Sequence, residues 1–143
     1  MSRTTRSMDP AVRDYLLNVG VDEHPQLRLL RDATEAALGD RAIMLSSPEQ
    51  AALLAWMIPI IGARKCMEVG TFTGYNALSM ALALPAGGVV VACDVDERFA
   101  SVGQPFWVAS GVGDKIDLQI DIVFRVDLEV GQFQGQVIAL AQH

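Results

Sequence analysis

One stretch of the chain, residues 64–94, constrains the fold more than any other: "RKCMEVGTFTGYNALSMALALPAGGVVVACD". A short apolar run leads into a turn with two glycines. An alanine- and leucine-rich run follows, Pro85 closes it, and a second apolar run is rich in β-branched residues. These are the signals of a strand, a helix and a second strand. Strands joined through a helical crossover are parallel. The sequence therefore predicts an α/β fold built on a parallel sheet.

Three more helices are predicted ahead of this unit. The first begins at Asp9, which is followed by proline, and the second runs from about residue 25 to residue 38. The third begins at Ser47, where a proline and the capping-box residue Gln50 follow, and it should end within residues 59–62. On the first of these helices, Val12, Leu16 and Leu17 are expected to share the packing face. The two histidines, His24 and His143, lie outside any cluster and are expected at the surface.

The chain after the second strand predicts a helix and at least one more strand. Pro105 is expected to kink or interrupt that helix. From residue 116 to residue 130 every even position is apolar, which is the period of a half-buried strand. A usual strand has only about 5 to 6 residues, so the pattern predicts either a long edge strand or a pair of strands. The last twelve or so residues are expected to add one short strand or a frayed end.

Composition excludes several classes of protein. A chain of 143 residues fits one domain, and its net charge of −6 with scattered lysines and arginines argues against nucleic acid as a partner. The uncharged apolar stretch of residues 51–63, with Pro59 inside it, is shorter than the roughly 20 residues of a membrane helix. The amino terminus lacks the apolar core of a signal peptide. A cytoplasmic protein is expected, with Cys66 and Cys93 as reduced thiols in the core.

The turn between the predicted strand and helix has the composition of a cofactor site. Gly70 and Gly74 let the backbone approach a ligand, and the helix that follows directs free N–H groups at it. Asp94 ends the second strand roughly 20 residues further on, where an acid accepts hydrogen bonds from ribose hydroxyls. A nucleotide-like cofactor is therefore expected. The alternative is that the two glycines only make a tight connection.

The residues around the glycines indicate which cofactor. A dinucleotide fingerprint has G-x-G-x-x-G, whereas this turn reads "EVGTFTG", with Thr71 directly after the first glycine and no glycine between Gly70 and Gly74. Glu68 would repel a pyrophosphate but accept hydrogen bonds from an ammonium group. These features favour S-adenosylmethionine, which has an amino-acid end and an adenosine end. A nicotinamide-dependent enzyme stays as a less favoured alternative.

The motifs "EVGTFTGY" and "DKIDL", together with the segments before them, resemble one known family. Over residues 9–120 the chain is similar to the cation-dependent class I O-methyltransferases of the caffeoyl-CoA and catechol type, particularly their bacterial members. The resemblance implies a Rossmann-like S-adenosylmethionine methyltransferase fold. That fold would be incomplete here, because the family pattern ends after Ile120 and the chain looks truncated or altered beyond it.

The resemblance also implies nine cofactor-site residues. Glu68 would lie near the methionine amino group, Asp94 would hold the ribose hydroxyls, and Asn76 stands where the family usually has serine. Phe72 and Tyr75 are expected to flank the site as packing residues. The full set is Met44, Ser46, Glu68, Gly70, Thr71, Phe72, Tyr75, Asn76 and Asp94. On chemistry alone, Met44 is more often a core residue than a ligand, and Ser46 is as easily a polar loop residue as a ligand.

No metal ligand or catalytic residue can be assigned from the sequence. The family binds a divalent metal, magnesium, through carboxylates on later strands and an Asp-Asn pair, and that pair does not occur here. Asp127 is either a counterpart of the first metal aspartate or a solvent-facing residue of the alternating segment. The carboxylates that bind the metal in the family, and so orient the acceptor hydroxyls, are therefore not recognisable in this sequence.

These observations predict a single domain of residues 1–143 with three parts. Residues 9–64 would form amino-terminal helices, residues 65–120 the cofactor half of the sheet, and residues 121–143 a divergent tail. The predicted function is methyl transfer to a hydroxyl of a small catechol-like or CoA-ester acceptor. The alternative is a non-catalytic, self-associating remnant that at most binds the cofactor. Loss of later strands would expose a sheet edge, so a homodimer or higher oligomer is expected.

Overall fold

The computed structural model describes residues 8–120 and 137–141, the second range as a backbone strand only. The amino-terminal part is helical, as predicted. Its elements are α1 (Pro10–Gly20), α2 (Pro25–Leu38), a short 3-10 helix (Gly39–Met44) and α3 (Pro48–Ile60). All three predicted α-helices are present, and α3 ends where the sequence indicated.

The second part alternates strands and helices. Its elements are β1 (Lys65–Val69), α4 (Tyr75–Ala83), β2 (Val89–Asp94), α5 (Glu97–Ala109), a 3-10 turn (Gly113–Lys115), β3 (Ile116–Ile120) and β4 (Val137–Ala141). The strand, helix and strand predicted for residues 64–94 are β1, α4 and β2. The α/β class is therefore confirmed.

The four described strands form one sheet in the order β3-β2-β1-β4. Every neighbouring pair is parallel. Glu68 on β1 is aligned with Ala92 on β2, and Val69 with Cys93. The carboxyl ends of β1 and β2 therefore lie side by side, and the turn that starts at Gly70 faces Asp94. In open α/β sheets, ligands bind at this edge.

Side chains cap the three amino-terminal helices. Asp9 Oδ1 accepts a hydrogen bond from the Ala11 N–H at 2.8 Å, as its predicted role requires. Ser47 Oγ accepts from the Gln50 N–H at 3.4 Å. His24 Nδ1 accepts from the N–H of the second residue of α2 at 3.2 Å and is half-buried. The prediction of His24 as a plain surface residue was therefore wrong, because the histidine is the N-cap of α2.

The core consists of two clusters of buried side chains. The first joins α2, α3, α4 and α5: Leu27, Leu30, Leu45, Ala51, Phe72, Tyr75, Leu78, Ala100 and Trp107. The second lies around β1, β2 and α4: Ile58, Ala63, Cys66, Ala77, Met80, Ala81, Leu84, Val90 and Ala92. Within α1, which is described in full, no residue is buried. Val12 was expected on its packing face but is 55% exposed.

Two other local predictions can be compared with the described residues. The helix is not interrupted at Pro105, and the prediction for the alternating segment falls only partly on the described residues. Pro105 lies inside α5, which runs through it without interruption to Ala109. The alternating segment forms β3 over its first five residues, and β3 is an edge strand of the described sheet. The rest of that segment, with Asp127, lies outside the described residues. The short strand predicted near the carboxyl end is β4.

The sequence predicted an exposed edge of the sheet, and the strand β4 changes where the edges of the described sheet lie. It pairs with β1 on the side opposite β2, so β1 has a neighbour on both sides. The edges of the described sheet therefore belong to β3 and β4.

Both cysteines are buried and unpaired, as predicted. Burial raises the pKa of the Cys66 thiol to about 11, which keeps it protonated at neutral pH. Among the described residues, no helix has both the length and the apolar character needed to cross a membrane.

Candidate functional site

The turn between β1 and α4 is fastened to the end of β2 by backbone hydrogen bonds. The N–H groups of Gly70 and Thr71 both donate to the Cys93 carbonyl, at 2.9 and 3.0 Å. Gly70 has a φ of +82°, a backbone conformation that residues with a Cβ rarely adopt. The glycine thus lets the chain leave β1 and cross over the end of β2.

Asp94 fixes the next residue of the turn. Phe72 has a φ of +55°, a left-handed conformation that costs of order 1–3 kcal/mol in a non-glycine residue. Its N–H donates to Asp94 Oδ2 at 2.6 Å, and a charge-assisted bond of this kind contributes about 1.5–3 kcal/mol. The other carboxylate oxygen accepts from Val95 N–H at 2.7 Å and Asp96 N–H at 3.1 Å. Asp94 therefore holds the turn in place.

The same carboxylate keeps room for a ligand. Each carboxylate oxygen has about two acceptor positions, and Asp94 Oδ2 uses one of them for the Phe72 N–H. One further donor, such as a ribose hydroxyl, is compatible with this arrangement. The sequence predicted the ligand contact for Asp94 and missed its structural role.

Glu68 is a residue of β1, next to the turn, and it is completely buried. Asn76 Nδ2 donates to its Oε1 at 3.1 Å. Burial raises the pKa of Glu68 to about 8, although hydrogen bonds from Asn76, Thr71 and the Ala77 backbone favour the ionised form. The carboxyl group is thus mostly protonated at neutral pH. A Glu68 charge that repels a pyrophosphate, as the sequence suggested, is not present in this buried setting.

Glu68 also contributes to the amino terminus of α4. Gly74 is the N-cap residue of that helix and has no side chain to accept from the first turn. The Ala77 N–H, which belongs to the third residue of α4, favours the ionised form of the Glu68 carboxyl group. A residue of β1 is therefore placed near the start of α4, where a serine or aspartate cap is usual.

The second glycine of the turn is required by packing. A Cβ on Gly74 would lie 2.1 Å from Trp107 Cζ2. A Cβ on Gly103 of α5 would lie 1.8 Å from the Thr73 carbonyl oxygen. Both glycines let α5 press against the turn, so the prediction that Gly74 serves a ligand missed its packing role. Gly103 inside a helical pattern was the available signal for this contact.

The two aromatic residues of the predicted set are packing residues, as expected. Phe72 and Phe99 have ring centroids 4.9 Å apart with tilted planes. The Tyr75 hydroxyl donates to Glu23 Oε1 at 2.6 Å, and both Phe72 and Tyr75 belong to the first core cluster. They hold the turn against α2 and α5.

The first turn of α4 offers groups that suit an amino acid. Asn76 is 2% exposed, and no described residue donates to its Oδ1. Within the described ranges, the N–H groups of Tyr75 and Asn76 have no hydrogen-bond acceptor. A ligand ammonium group is the donor that Oδ1 needs, and a carboxylate suits N–H groups at a helix amino terminus. The methionine end of S-adenosylmethionine has both groups, so the site's chemistry fits this cofactor.

The remaining two predicted residues lie on the loop before α3. Ser46 is 4% exposed and lines a cavity beside α1 and α2, whereas Met44 is 38% exposed. Leu45, between them, packs in the same core cluster as Phe72 and Tyr75. The loop is thus connected to the turn by packing.

A metal centre has no counterpart in the described part of the chain. Residues 8–120 contain no group of three histidine, cysteine, aspartate or glutamate side chains that could hold a metal ion. The one residue considered as a metal ligand from the sequence, Asp127, lies outside the described residues.

A protein-family model described as O-methyltransferase matches residues 17–137. This match extends beyond Ile120, where the motif resemblance ended. Catechol O-methyltransferase domain-containing protein 1 of Mus musculus is 45% identical over 113 residues, which is 78% of this chain and 42% of that protein. Caffeoyl-CoA O-methyltransferase of Populus kitakamiensis is 38% identical over 109 residues, 75% of this chain and 46% of that protein. The chain thus spans about half the length of these relatives.

Solved structures with the same fold include cofactor complexes. The O-methyltransferase TomG of Streptomyces achromogenes, solved with SAM, has a TM-score of 0.68 and 27% identity, covering 77% of this chain and 48% of that one. An O-methyltransferase of Bacillus cereus, solved with SAH, has a TM-score of 0.73, covering 92% of this chain and 60% of that one. At 22% identity, the second comparison concerns the fold alone.

Proposed function

The chain belongs to the O-methyltransferase family, and on this premise we propose that it binds S-adenosylmethionine at the turn between β1 and α4. Asp94 would hold the ribose hydroxyls, and Gly70 and Thr71 would pass beneath the cofactor. Asn76 Oδ1 and the first N–H groups of α4 would receive the ammonium and carboxylate groups. The cofactor would supply an electrophilic methyl group for transfer to an oxygen.

One observation carries this proposal more than the others. Asn76 Oδ1 is a buried acceptor that no described residue satisfies, and it lies on the same helical turn as two N–H groups without acceptors. A buried polar atom without a partner costs about 1–3 kcal/mol. An α-amino acid group would satisfy the acceptor and the donors together, since its ammonium and carboxylate groups are attached to the same carbon atom.

The substrate proposal rests on the relatives. Two of them are named for catechol and caffeoyl-CoA methylation, so we infer a small acceptor with a catechol-like or CoA-ester structure and a reactive hydroxyl. The described residues offer no ligand set for the magnesium ion that the resemblance implied. The described residues therefore support a proposal for the cofactor and none for the metal. A cytoplasmic location remains a prediction.

Calorimetric titration with S-adenosylmethionine and S-adenosylhomocysteine tests the cofactor site. The wild-type protein should bind both, and Asp94→Asn should weaken binding about tenfold or more, because a charged acceptor for the ribose is lost. Asp117→Asn is the matched control, since it makes the same change on an exposed residue of β3. Equal affinity in the two variants, or no binding of either ligand, would contradict the proposal.

A second candidate function is cofactor binding without methyl transfer, in a self-associating protein. Its support is a stripe of exposed apolar side chains at helical spacing on α3. The stripe consists of Leu53 (55% exposed), Trp56 (65%), Met57 (36%) and Ile60 (59%). Such a surface suits a contact with another chain. Robust turnover of a catechol in the presence of magnesium would eliminate this candidate. Cofactor binding without turnover, together with a dimer in light scattering, would favour it.

A further inference from the structure

A cavity of about 340 Å³ lies between α1, α2 and the loop that precedes α3. Its lining contains three arginines and two glutamates. These are Arg13, Arg28, Arg31, Glu23 and Glu35. The charged residues of this arginine cavity therefore have one positive charge in excess, although the chain as a whole has a net charge of −6.

Glu23 balances only part of this positive charge. Arg31 donates to both oxygens of its carboxylate, at 3.2 and 3.0 Å, and Arg28 Nε lies 3.5 Å from Oε2. Burial acts to raise the pKa of Glu23, but the hydrogen bonds from Arg31, Tyr75 and Arg28 outweigh it and lower the pKa. The carboxylate is thus ionised and is held by the two arginines of α2.

Of the three arginines that line the cavity, Arg13 on α1 is the one without an ion pair to a described residue. Its Nε is buried and has no hydrogen-bond acceptor there. A buried donor without an acceptor is costly, and a guanidinium group pairs best with a carboxylate or a phosphate. The hydroxyl of Ser47 also lines the cavity and accepts a hydrogen bond from the Gln50 N–H, which leaves its own proton to be donated.

We propose that the arginine cavity binds an anionic group, a carboxylate or a phosphate, of a small molecule. Arg13 and the Ser47 hydroxyl provide the donors, and Arg28 adds positive charge at the exposed side. This site goes beyond the proposed cofactor function, with which it shares only Ser46. The source of the anion is an acidic group of the acceptor substrate, since the carboxylate of the cofactor is assigned to the N–H groups of α4.

Titration with inorganic phosphate, in a buffer without other oxyanions, tests the site directly. The wild-type protein should bind phosphate saturably, and Arg13→Gln should weaken binding about tenfold, the loss expected for one charge-assisted hydrogen bond. Arg98→Gln is the matched control, because Arg98 is an exposed arginine of α5 that pairs with Asp96. Binding that is equally weak or equally strong in all three proteins would overturn the proposal.

A second pair of variants keeps the test independent of folding. Ser47→Asp retains an N-cap acceptor for α3 but places a negative charge in the cavity, whereas Ser47→Asn retains the cap without the charge. The aspartate should abolish phosphate binding, and the asparagine should weaken it by no more than a few-fold. Undiminished phosphate binding by Ser47→Asp would place the anion elsewhere.

Repeating the titration with saturating S-adenosylhomocysteine tests whether the cavity is separate from the cofactor site. Unchanged phosphate binding would support its assignment to an acidic group of the acceptor. Loss of phosphate binding would show that the cofactor occupies the cavity and would overturn that assignment. A failure of the cofactor to bind leaves the phosphate result intact, so the two proposals fail separately.

Discussion

Two glutamates, the buried Glu68 beneath the turn and the half-buried Glu23 beside the arginine cavity, have opposite electrostatic behaviour. Glu68 has neutral hydrogen-bond partners, and burial raises its pKa to about 8. Glu23 has two arginines and a tyrosine hydroxyl as partners, which lower its pKa in spite of burial. The comparison teaches that the charge state of an acid is determined by its neighbours after folding, because burial alone acts in the same direction on both.

The largest expected effect is the pH dependence that Glu68 imposes on stability. Its pKa in the folded state is above the value of 4.5 for an unperturbed glutamate, so the folded chain keeps a proton that the unfolded chain has lost. Stability is therefore complete below about pH 4.5 and decreases as the pH rises toward 8. By linkage the loss is on the order of 4 kcal/mol. Urea unfolding between pH 5 and pH 8 measures it.

Glu68→Gln should remove most of this pH dependence, since the amide keeps an acceptor for Asn76 and cannot ionise. Glu97→Gln, which changes an exposed residue of α5, should retain the wild-type slope. An unchanged slope in Glu68→Gln would mean that Glu68 is already ionised in the folded protein, and the contrast with Glu23 would disappear.

A smaller loss is expected from Glu23→Gln, about 2 kcal/mol at neutral pH, because Arg31 would lose its ion pair and one of its two hydrogen bonds in a half-buried position. The effect should decrease at acidic pH, where wild-type Glu23 is protonated as well. Thermal or urea unfolding at two pH values measures both quantities. Glu35→Gln, on the same cavity, is the control for a general change in charge. A loss in Glu23→Gln that is the same at both pH values would contradict the ion-pair explanation.

The smallest effect in this series belongs to Tyr75→Phe. It removes the 2.6 Å hydrogen bond to Glu23 but leaves the buried ring in the core, so about 1 kcal/mol of stability should be lost. In a double-mutant cycle with Glu23→Gln, the loss of stability in the double variant should be smaller than the sum of the two single losses, because both substitutions remove the same interaction. Full additivity would show that the tyrosine acts through packing alone.

The sequence predicted the elements of the fold well, because their signals are local. The α2 boundary at Gly39 follows from the conformational freedom of glycine, and the start of α3 follows from the cap at Ser47. The parallel arrangement of β1 and β2 follows from the helix between them. In each case, the residues that determine the feature are close together in the sequence.

The features that the sequence did not predict depend on distant contacts. The packing of Trp107 on Gly74 and of Gly103 on Thr73 joins elements that no local pattern relates. Likewise, Glu23 and Tyr75 are 52 positions apart in the chain. The candidate cofactor residues were named from the motif. The structural roles of Asp94 and Glu68 depend on Phe72 and Asn76, which contact them only in the folded chain.

The central claim is that the turn after β1 and the first turn of α4 hold S-adenosylmethionine. Amide NMR spectra recorded during a titration with S-adenosylhomocysteine test it most directly. The largest shifts should occur at Gly70, Thr71, Tyr75 and Asn76, with a further shift at Val95, whose N–H donates to the proposed ribose acceptor Asp94. Shifts confined to other parts of the protein, or no shifts at all, would contradict the account.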